Sequence, residues 1–279
     1  MLKTTQYNGV TRFDLARTMA GSGRYWTTAY LVDGMMVDTG CAYTARELTL
    51  ALKDTPIVRI VNTHSHEDHI GANARLKREH DGLEILSHPL ALPVLADPRG
   101  AQPLQPYRRL FWGLPEPSRG KPISDGAVIE TERHRFQAIN TPGHSADHLC
   151  LYEPDEGWLF TGDLFVGGQD RAARCDYDVW QSIASLKRIA ALPATRLFPG
   201  SARVRDHPAA ELAAKIDYLE TMGERVLELD RQGRSVQDIV NALCGGPMLI
   251  EFVTLGHFAR QWLVRSYLRS NADQSSVVT

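Results

Sequence analysis

Seven consecutive residues, Thr63-His64-Ser65-His66-Glu67-Asp68-His69, hold three imidazoles and two carboxylates. Neutral histidine is the commonest metal ligand, and carboxylate is its usual companion on zinc. His64 and His66 are two positions apart, so at a strand end they point to the same side. Asp68 and His69 are adjacent, so in extended backbone they point to opposite sides. One pair suits one ion and the other pair a second ion close by. A solvated histidine loop or a tag is the competing reading. A tag would be terminal and uniform, whereas this cluster is internal and follows the apolar run Ile57-Val58-Arg59-Ile60-Val61.

A site for two ions needs ligands from further loops. Thr141-Pro142-Gly143-His144 offers a histidine on a tight turn before Leu149-Cys150-Leu151-Tyr152. Thr161-Gly162-Asp163 offers a carboxylate directly after Trp158-Leu159-Phe160. Taken singly, His144 reads as structural and Asp163 as an ordinary turn residue. Their order after the histidine cluster gives them weight, because ligands at strand ends are held by a rigid sheet. His148 either lines the site or opens the next strand. His257 reads as a core histidine, and His80, His88 and His134 as surface or packing residues.

The elements that must position these groups can be read in outline. Thr28–Asp38 reads as a hairpin around Asp33-Gly34, a strong turn signal. Thr44–Lys53 reads as a helix and Pro56–Thr63 as a buried strand carrying the cluster at its end. Ile70–His80 reads as a helix that starts on the cluster, its positive end facing Asp68. Eight of the fifteen prolines fall between Pro89 and Pro122, with Arg108, Phe111 and Trp112 among them. Such a stretch reads as a cover or packed excursion, not a disordered linker. Short strands return over 127–161, then a helix over Tyr177–Leu192 and a strand over Thr195–Pro199. Leu212, Ile216, Leu219, Met222 and Val226 follow helical spacing. Ser235 to Asp238 forms a capping box, and Leu255 to Leu268 suggests a last helix.

Whole-chain properties narrow the function. Hydrophobic residues make up 43% and the net charge is −2. That is ordinary for a protein with a buried core and argues against broad nucleic-acid binding. Met1–Asp14 has no apolar signal-peptide core, and no stretch reaches the ~20 apolar residues of a membrane span. Cys41, Cys150, Cys175 and Cys244 form no CxxC pair and read as reduced thiols. The expectation is a cytoplasmic protein acting on a small molecule, with no nucleic acid or membrane partner. HExxH fails because Ile70 stands where histidine is required, and no nucleotide-binding glycine motif is present.

In order and type, Asp38-Thr39-Gly40, Thr63 to His69, Thr141 to His144 and Gly162-Asp163 resemble the metallo-β-lactamase superfamily, over roughly Thr27 to Ser201. The resemblance implies an α+β fold, a four-layer αββα sandwich with a C-terminal helical extension. It implies a catalytic domain over 1–205 with a proline-rich insertion at 89–122. An extension over 206–270 and a flexible tail over 271–279 complete the chain. It implies His64, His66 and His144 on one metal, Asp68 and His69 on a second, and Asp163 bridging. One departure matters: the histidine that usually completes the second site is replaced by Ser201. A hydroxyl is a poorer zinc ligand than imidazole. A weakened second site, ligation by His207, or a single metal would each follow, and the first is favoured.

Zinc, as one or two ions, is the expected cofactor, with iron or manganese as alternatives. A zinc-bound water has its pKa lowered towards ~7, giving a hydroxide nucleophile at neutral pH. Asp68 is the residue to hold that water and carry its proton. The expected activity is hydrolysis of a small-molecule ester, thioester or lactone. A nuclease or phosphodiesterase is the first alternative, with Arg108, Arg109, Arg119, Lys121, Arg133 and Arg135 as its basic surface. A metal-binding regulatory protein with weak turnover is the second.

Overall fold

The computed structural model describes residues 1–269. It resolves into two compact units, each built from separated stretches of chain. The first comprises Met1–Thr141, Ala146–Val166 and Pro193–Pro208. It opens with three long antiparallel strands, β1 (Leu2–Tyr7), β2 (Val10–Met19) and β3 (Ser22–Val32). β4 (Met35–Val37) completes the expected hairpin: Val32 pairs with Met35, and Asp33 and Gly34 take φ 47° and 77°. Both central residues are thus left-handed, as a tight two-residue turn requires.

Next come α1 (Ala45–Ala51), β5 (Arg59–Val61), α2 (Asn73–Glu79) and β6 (Glu84–Ser87). The proline-rich stretch packs as α3 (Leu92–Ala96), α4 (Pro98–Ala101), α5 (Pro106–Phe111) and the edge strand β7 (Lys121–Pro122). Strands β1 to β7 form one sheet in sequence order, with β4 to β7 parallel to one another. The second sheet uses β8 (Val128–Glu130), β9 (Arg135–Asn140), β10 (Leu149–Glu153), β11 (Trp158–Gly162) and β13 (Arg196–Pro199), in the order β13-β11-β10-β9-β8. The intervening β12 (Ala173–Arg174) belongs to the second unit.

The sheets face each other across one core. Tyr30, Val37 and Val61 from the first meet Phe136, Leu151, Phe160 and Phe198 from the second. The other face of the first sheet, with Phe13, Met36 and Ile60, is covered by Leu48 and Leu52 near α1, Leu76 of α2 and Leu95 of α3. Three of the four expected layers, helix, sheet and sheet, therefore lie within this unit.

The second unit comprises Pro142–Ser145, Gly167–Leu192 and the chain from Ala209. It contains α6 (Val179–Ala190), α7 (Pro208–Arg231, entering from the last residue of the first unit), α8 (Val236–Leu243), α9 (Leu249–Val253) and α10 (Arg260–Leu268). β14 (Phe258–Ala259) pairs with β12. The capping box is present: Ser235 Oγ accepts from Asp238 N–H and Asp238 accepts from Ser235 N–H. One boundary between the units falls at Pro208, and Gly167–Leu192 groups with the chain from Ala209. The expected tail, 271–279, lies outside the described residues.

Three local expectations are corrected. The helix after the cluster starts at Asn73, not Ile70. Residues 66–70 instead form a closed turn in which His66 O accepts from both His69 N and Ile70 N. Asp68 and His69 therefore lie in that turn and not in extended backbone, and the helix does not start on the cluster. The last helix begins at Arg260, because Leu255 (φ 52°) and Gly256 (φ 77°) break it after the separate α9. His257 is half-buried, not core.

Candidate metal centre

Strand direction explains how distant residues meet. β4 and β5 run parallel, so their C-terminal ends deliver Asp38 and His64 to one edge of the first sheet. β11 and β13 also run parallel, so Asp163 and Ser201 leave the second sheet together. Backbone bonds pin the two edges: Leu149 N to Thr63 O at 2.8 Å, Thr28 N to Gly200 O at 2.6 Å and Gly200 N to Gly162 O at 2.8 Å.

The histidines are buried among one another. The rings of His64 and His66 lie 4.3 Å apart at 84°, and those of His64 and His69 4.1 Å apart. One ligand atom each from His64, His69 and Asp163 falls within 4.8 Å of the other two. His144 stands on Pro142–Ser145, a four-residue insert joined at both ends to the first unit's chain. His69 Nε2 is buried, makes no hydrogen bond, and stands 3.4 Å from Asp163 Oδ2 and 3.9 Å from Asp68 Oδ2. An imidazole nitrogen facing two carboxylates across such gaps fits a shared cation better than a direct bond. The donor set therefore suits a divalent metal.

A buried relay fixes the ring orientations. Asp38 Oδ2 accepts from His69 Nδ1 at 2.7 Å and from Thr63 Oγ1 at 2.7 Å, while Oδ1 accepts from Thr63 N at 2.8 Å. Because the Thr63 hydroxyl proton goes to Asp38, His64 Nδ1, 3.0 Å away, must donate to Thr63 Oγ1. When neutral, both histidines thereby carry the proton on Nδ1 and the lone pair on Nε2, the orientation that metal-ligating histidines take from such partners. Asp38 holds φ 58°, an uncommon conformation that asparagine and aspartate tolerate best. The sequence placed Asp38 only at a strand end. Its orienting role depends on that backbone angle and on pairing across 31 positions.

His148 resolves as a positioning residue. Its Nε2 accepts from Asp163 N at 3.2 Å, so Nδ1 carries the proton and donates to Thr141 Oγ1 at 2.8 Å. Both nitrogens are engaged, and burial pushes its pKa down to about 4. Among the described residues the grouped His, Cys, Asp and Glu ligands do not include Asp68, His148 or His207. Ser201 is exposed and its Oγ donates to Asp163 Oδ1 at 3.2 Å. His207 is exposed, so the structure gives no support to the expectation that it swings in. Gly200 leaves room for the site: a Cβ there would meet Asp163 Oδ1 at 2.7 Å and His69 Cε1 at 2.8 Å.

Three of the six residues of the basic surface invoked for a nuclease are paired with carboxylates. Arg108 is buried against Glu67, Lys121 pairs with Glu84, and Arg133 pairs with Asp33. Cys41, Cys150 and Cys244 are buried thiols outside any disulfide, and Cys175 is exposed. Among the described residues, no helix is long and apolar enough to cross a membrane.

Electrostatics give a pH prediction. Burial, with Glu67 and Asp163 close by, pushes Asp68 up to about 7 against the pull of His69 and Arg108. Burial opposes the charge on His69, yet Asp163, Asp38 and Asp68 together raise it well above 6.5. A raised folded-state pKa gives stability that is complete below the unfolded value and lost as pH rises through the folded one. For Asp68 that loss runs from the ordinary carboxylate value of 3.8 up to about 7, and for His69 it begins near 6.5 and extends higher. The metal-free protein should therefore lose Tm as pH rises from about 4 through 7 and beyond, and metal loading should flatten the curve. Calorimetry with and without chelator checks this. A metal-free Tm that rises across the window would overturn the charge assignment.

With this geometry established, the profile of the metallo-β-lactamase superfamily matches residues 26–201. The chain belongs to that superfamily, and its α+β fold with C-terminal helices is the superfamily's fold. The atrochrysone carboxyl ACP thioesterase of Aspergillus fumigatus is 28% identical over 186 residues, 65% of this chain and 51% of that protein. The chain thus spans about half the length of that curated relative. A metallo-β-lactamase family protein from Thermus thermophilus superposes with TM-score 0.67 at 18% identity, covering 96% of this chain and 94% of its own. TTHA1623, solved in a di-iron-bound form, superposes with TM-score 0.54 at 30% identity, covering 67% of this chain and 93% of its own.

Proposed function

We propose that this chain is a metal-dependent hydrolase of a small-molecule ester, thioester or lactone. The observation that carries the reading is the convergence of His64, His69 and Asp163 within 4.8 Å, with His69 turned by Asp38 so that Nε2 faces two carboxylates. His64, His66 and His144 would hold one ion, Asp68 and His69 the second, and Asp163 would bridge them. Zinc suits the donors, and the di-iron form of one solved relative keeps iron in view alongside manganese. When bound, such ions polarise the scissile carbonyl and acidify water. The chain's own residues supply the rest. The Asp68 carboxyl would take a proton from the attacking water and return it to the leaving oxygen or sulfur. Asp38 and Thr63 keep the imidazoles fixed, and the Asp163 backbone is pinned by His148. The thioesterase name of one relative makes thioesters the first class to assay.

Ser201 sets the expected stoichiometry. The second position has His69, Asp68 and Asp163 but no further imidazole, so it should bind metal more weakly than the first. Elemental analysis should find the first equivalent retained through dialysis and the second lost. Ser201→His should tighten the second equivalent by about 10–100-fold, the scale seen when a metal's surroundings change by one group. A panel of esters, thioesters and lactones, assayed with and without chelator, completes the test. Metal-loaded protein that hydrolyses none of them would favour the regulatory reading. Protein that binds no metal at all would sink both.

A further inference from the structure

The turn carrying Asp68 is gripped from outside the ligand set. Glu67 stands between His66 and Asp68 with its side chain only 1% exposed. A carboxylate this buried is costly unless a cation meets it. Arg108 does so: its Nε donates to Glu67 Oε1 at 2.7 Å and its Nη2 donates to Oε2. Two parallel bonds from a planar guanidinium fix direction as well as charge, which an ammonium does not.

Arg108 comes from α5 of the proline-rich excursion, and α5 is itself anchored. Tyr43 Oη donates to Arg109 O at 3.0 Å, and Arg17 donates to Leu110 O. The Phe111 ring lies 3.9 Å from that of Tyr25, whose φ of 54° is a strained value for an aromatic residue. Two positions beyond Tyr25, Thr27 Oγ1 donates to Asp68 O at 2.9 Å. Glu67 and Asp68 are thus held through two routes that meet at one docked segment, α5 on the β2–β3 hairpin.

We propose that Arg108 is a positioning residue: through Glu67 it sets the pose of Asp68 and couples the proline-rich excursion to the second metal position. The inference rests on the hydrolase reading for its catalytic consequence but not for its metal-binding one. The rival role is purely structural, a buried ion pair that stabilises the fold and nothing more. Because single substitutions leave one buried charge exposed to an apolar setting, a double variant is needed.

The experiment compares Arg108→Met, Glu67→Gln, the double variant and Arg108→Lys as full chains. Each is stripped with chelator, titrated with Co²⁺ and Zn²⁺, melted, and assayed for kcat and KM. Both single variants should melt lower than the native chain, and the double variant should recover most of the loss. Arg108→Met, Glu67→Gln and the double variant should nevertheless bind the second equivalent about 10–100-fold more weakly, with a matching fall in kcat and little change in KM. Arg108→Lys should fall between, and the visible spectrum of bound Co²⁺ should change only at the second equivalent. A double variant that melts, binds both equivalents and turns over like the native chain would overturn the proposal. Metal coupling without turnover on any substrate would sink the hydrolase reading and leave the coupling standing. Intact turnover with no coupling would do the reverse.

Discussion

Asp68→Asn should lower kcat/KM by about 10²–10⁴-fold on whichever substrate class is turned over, the usual contribution of a positioned proton carrier. The substitution is nearly isosteric, and the turn is held through groups it does not touch: the Asp68 carbonyl by Thr27 and the neighbouring Glu67 by Arg108. Backbone pose should therefore survive, and the loss should report chemistry. Stability should change little in the metal-free protein. Burial already pushes Asp68 up to about 7, so near neutral pH the native carboxyl is neutral in a large fraction of molecules. An amide in its place removes a charge the site scarcely favours without a cation. Steady-state kinetics beside a melting curve makes the test: unchanged kcat/KM in a folded, metal-loaded variant would remove Asp68 from the mechanism. His66→Ala is the companion, expected to lose metal as well as activity.

What could be read from the chain divides along physical lines. His64, His66, His69, His144 and Asp163 were legible because ligand chemistry restricts residue type and strand ends restrict spacing. The β3–β4 hairpin was legible because Asp33-Gly34 supplies two left-handed residues. β1 escaped notice because its inner residues Lys3 to Gln6 are all exposed, leaving no alternating apolar face. The helix after the cluster starts three residues later than its pattern suggests, since apolar Ile70 and Ala72 suit either a helix or the buried turn they in fact form. The grip on Glu67 was unreadable. Nothing local distinguishes a buried glutamate from a solvated one, and its partner lies 41 positions away. Arg108 was accordingly assigned to a basic surface it does not join. Ser201 shows the converse: its departure from the superfamily pattern was plain in sequence, while its contact with Asp163 needed coordinates.

The second large effect is expected at Asp38, and its two substitutions should fail in different ways. Asp38→Ala removes the acceptor for Thr63 N, Thr63 Oγ1 and His69 Nδ1, all buried, and places a Cβ-bearing residue with no side-chain bond at φ 58°. Unsatisfied buried donors cost about 1–3 kcal/mol each and the left-handed backbone about 1–2 kcal/mol, so a loss of roughly 3–6 kcal/mol is expected, since such terms rarely add in full. Asp38→Asn keeps the backbone conformation, which asparagine tolerates, and one oxygen for Thr63 N. Its amide nitrogen, however, then faces His69 Nδ1. Two donors cannot share that 2.7 Å contact, so the His69 proton must move to Nε2, the atom turned toward Asp163 and Asp68. Thr63 also loses its acceptor, and the constraint on His64 through Oγ1 relaxes with it. The asparagine variant should therefore fold with a modest drop in Tm yet bind the second equivalent about 10–100-fold more weakly. Nitrogen-resolved NMR of the imidazoles would read the tautomers directly. A variant that keeps the His69 proton on Nδ1 and binds metal as the native chain does would show that Asp38 orients neither ring.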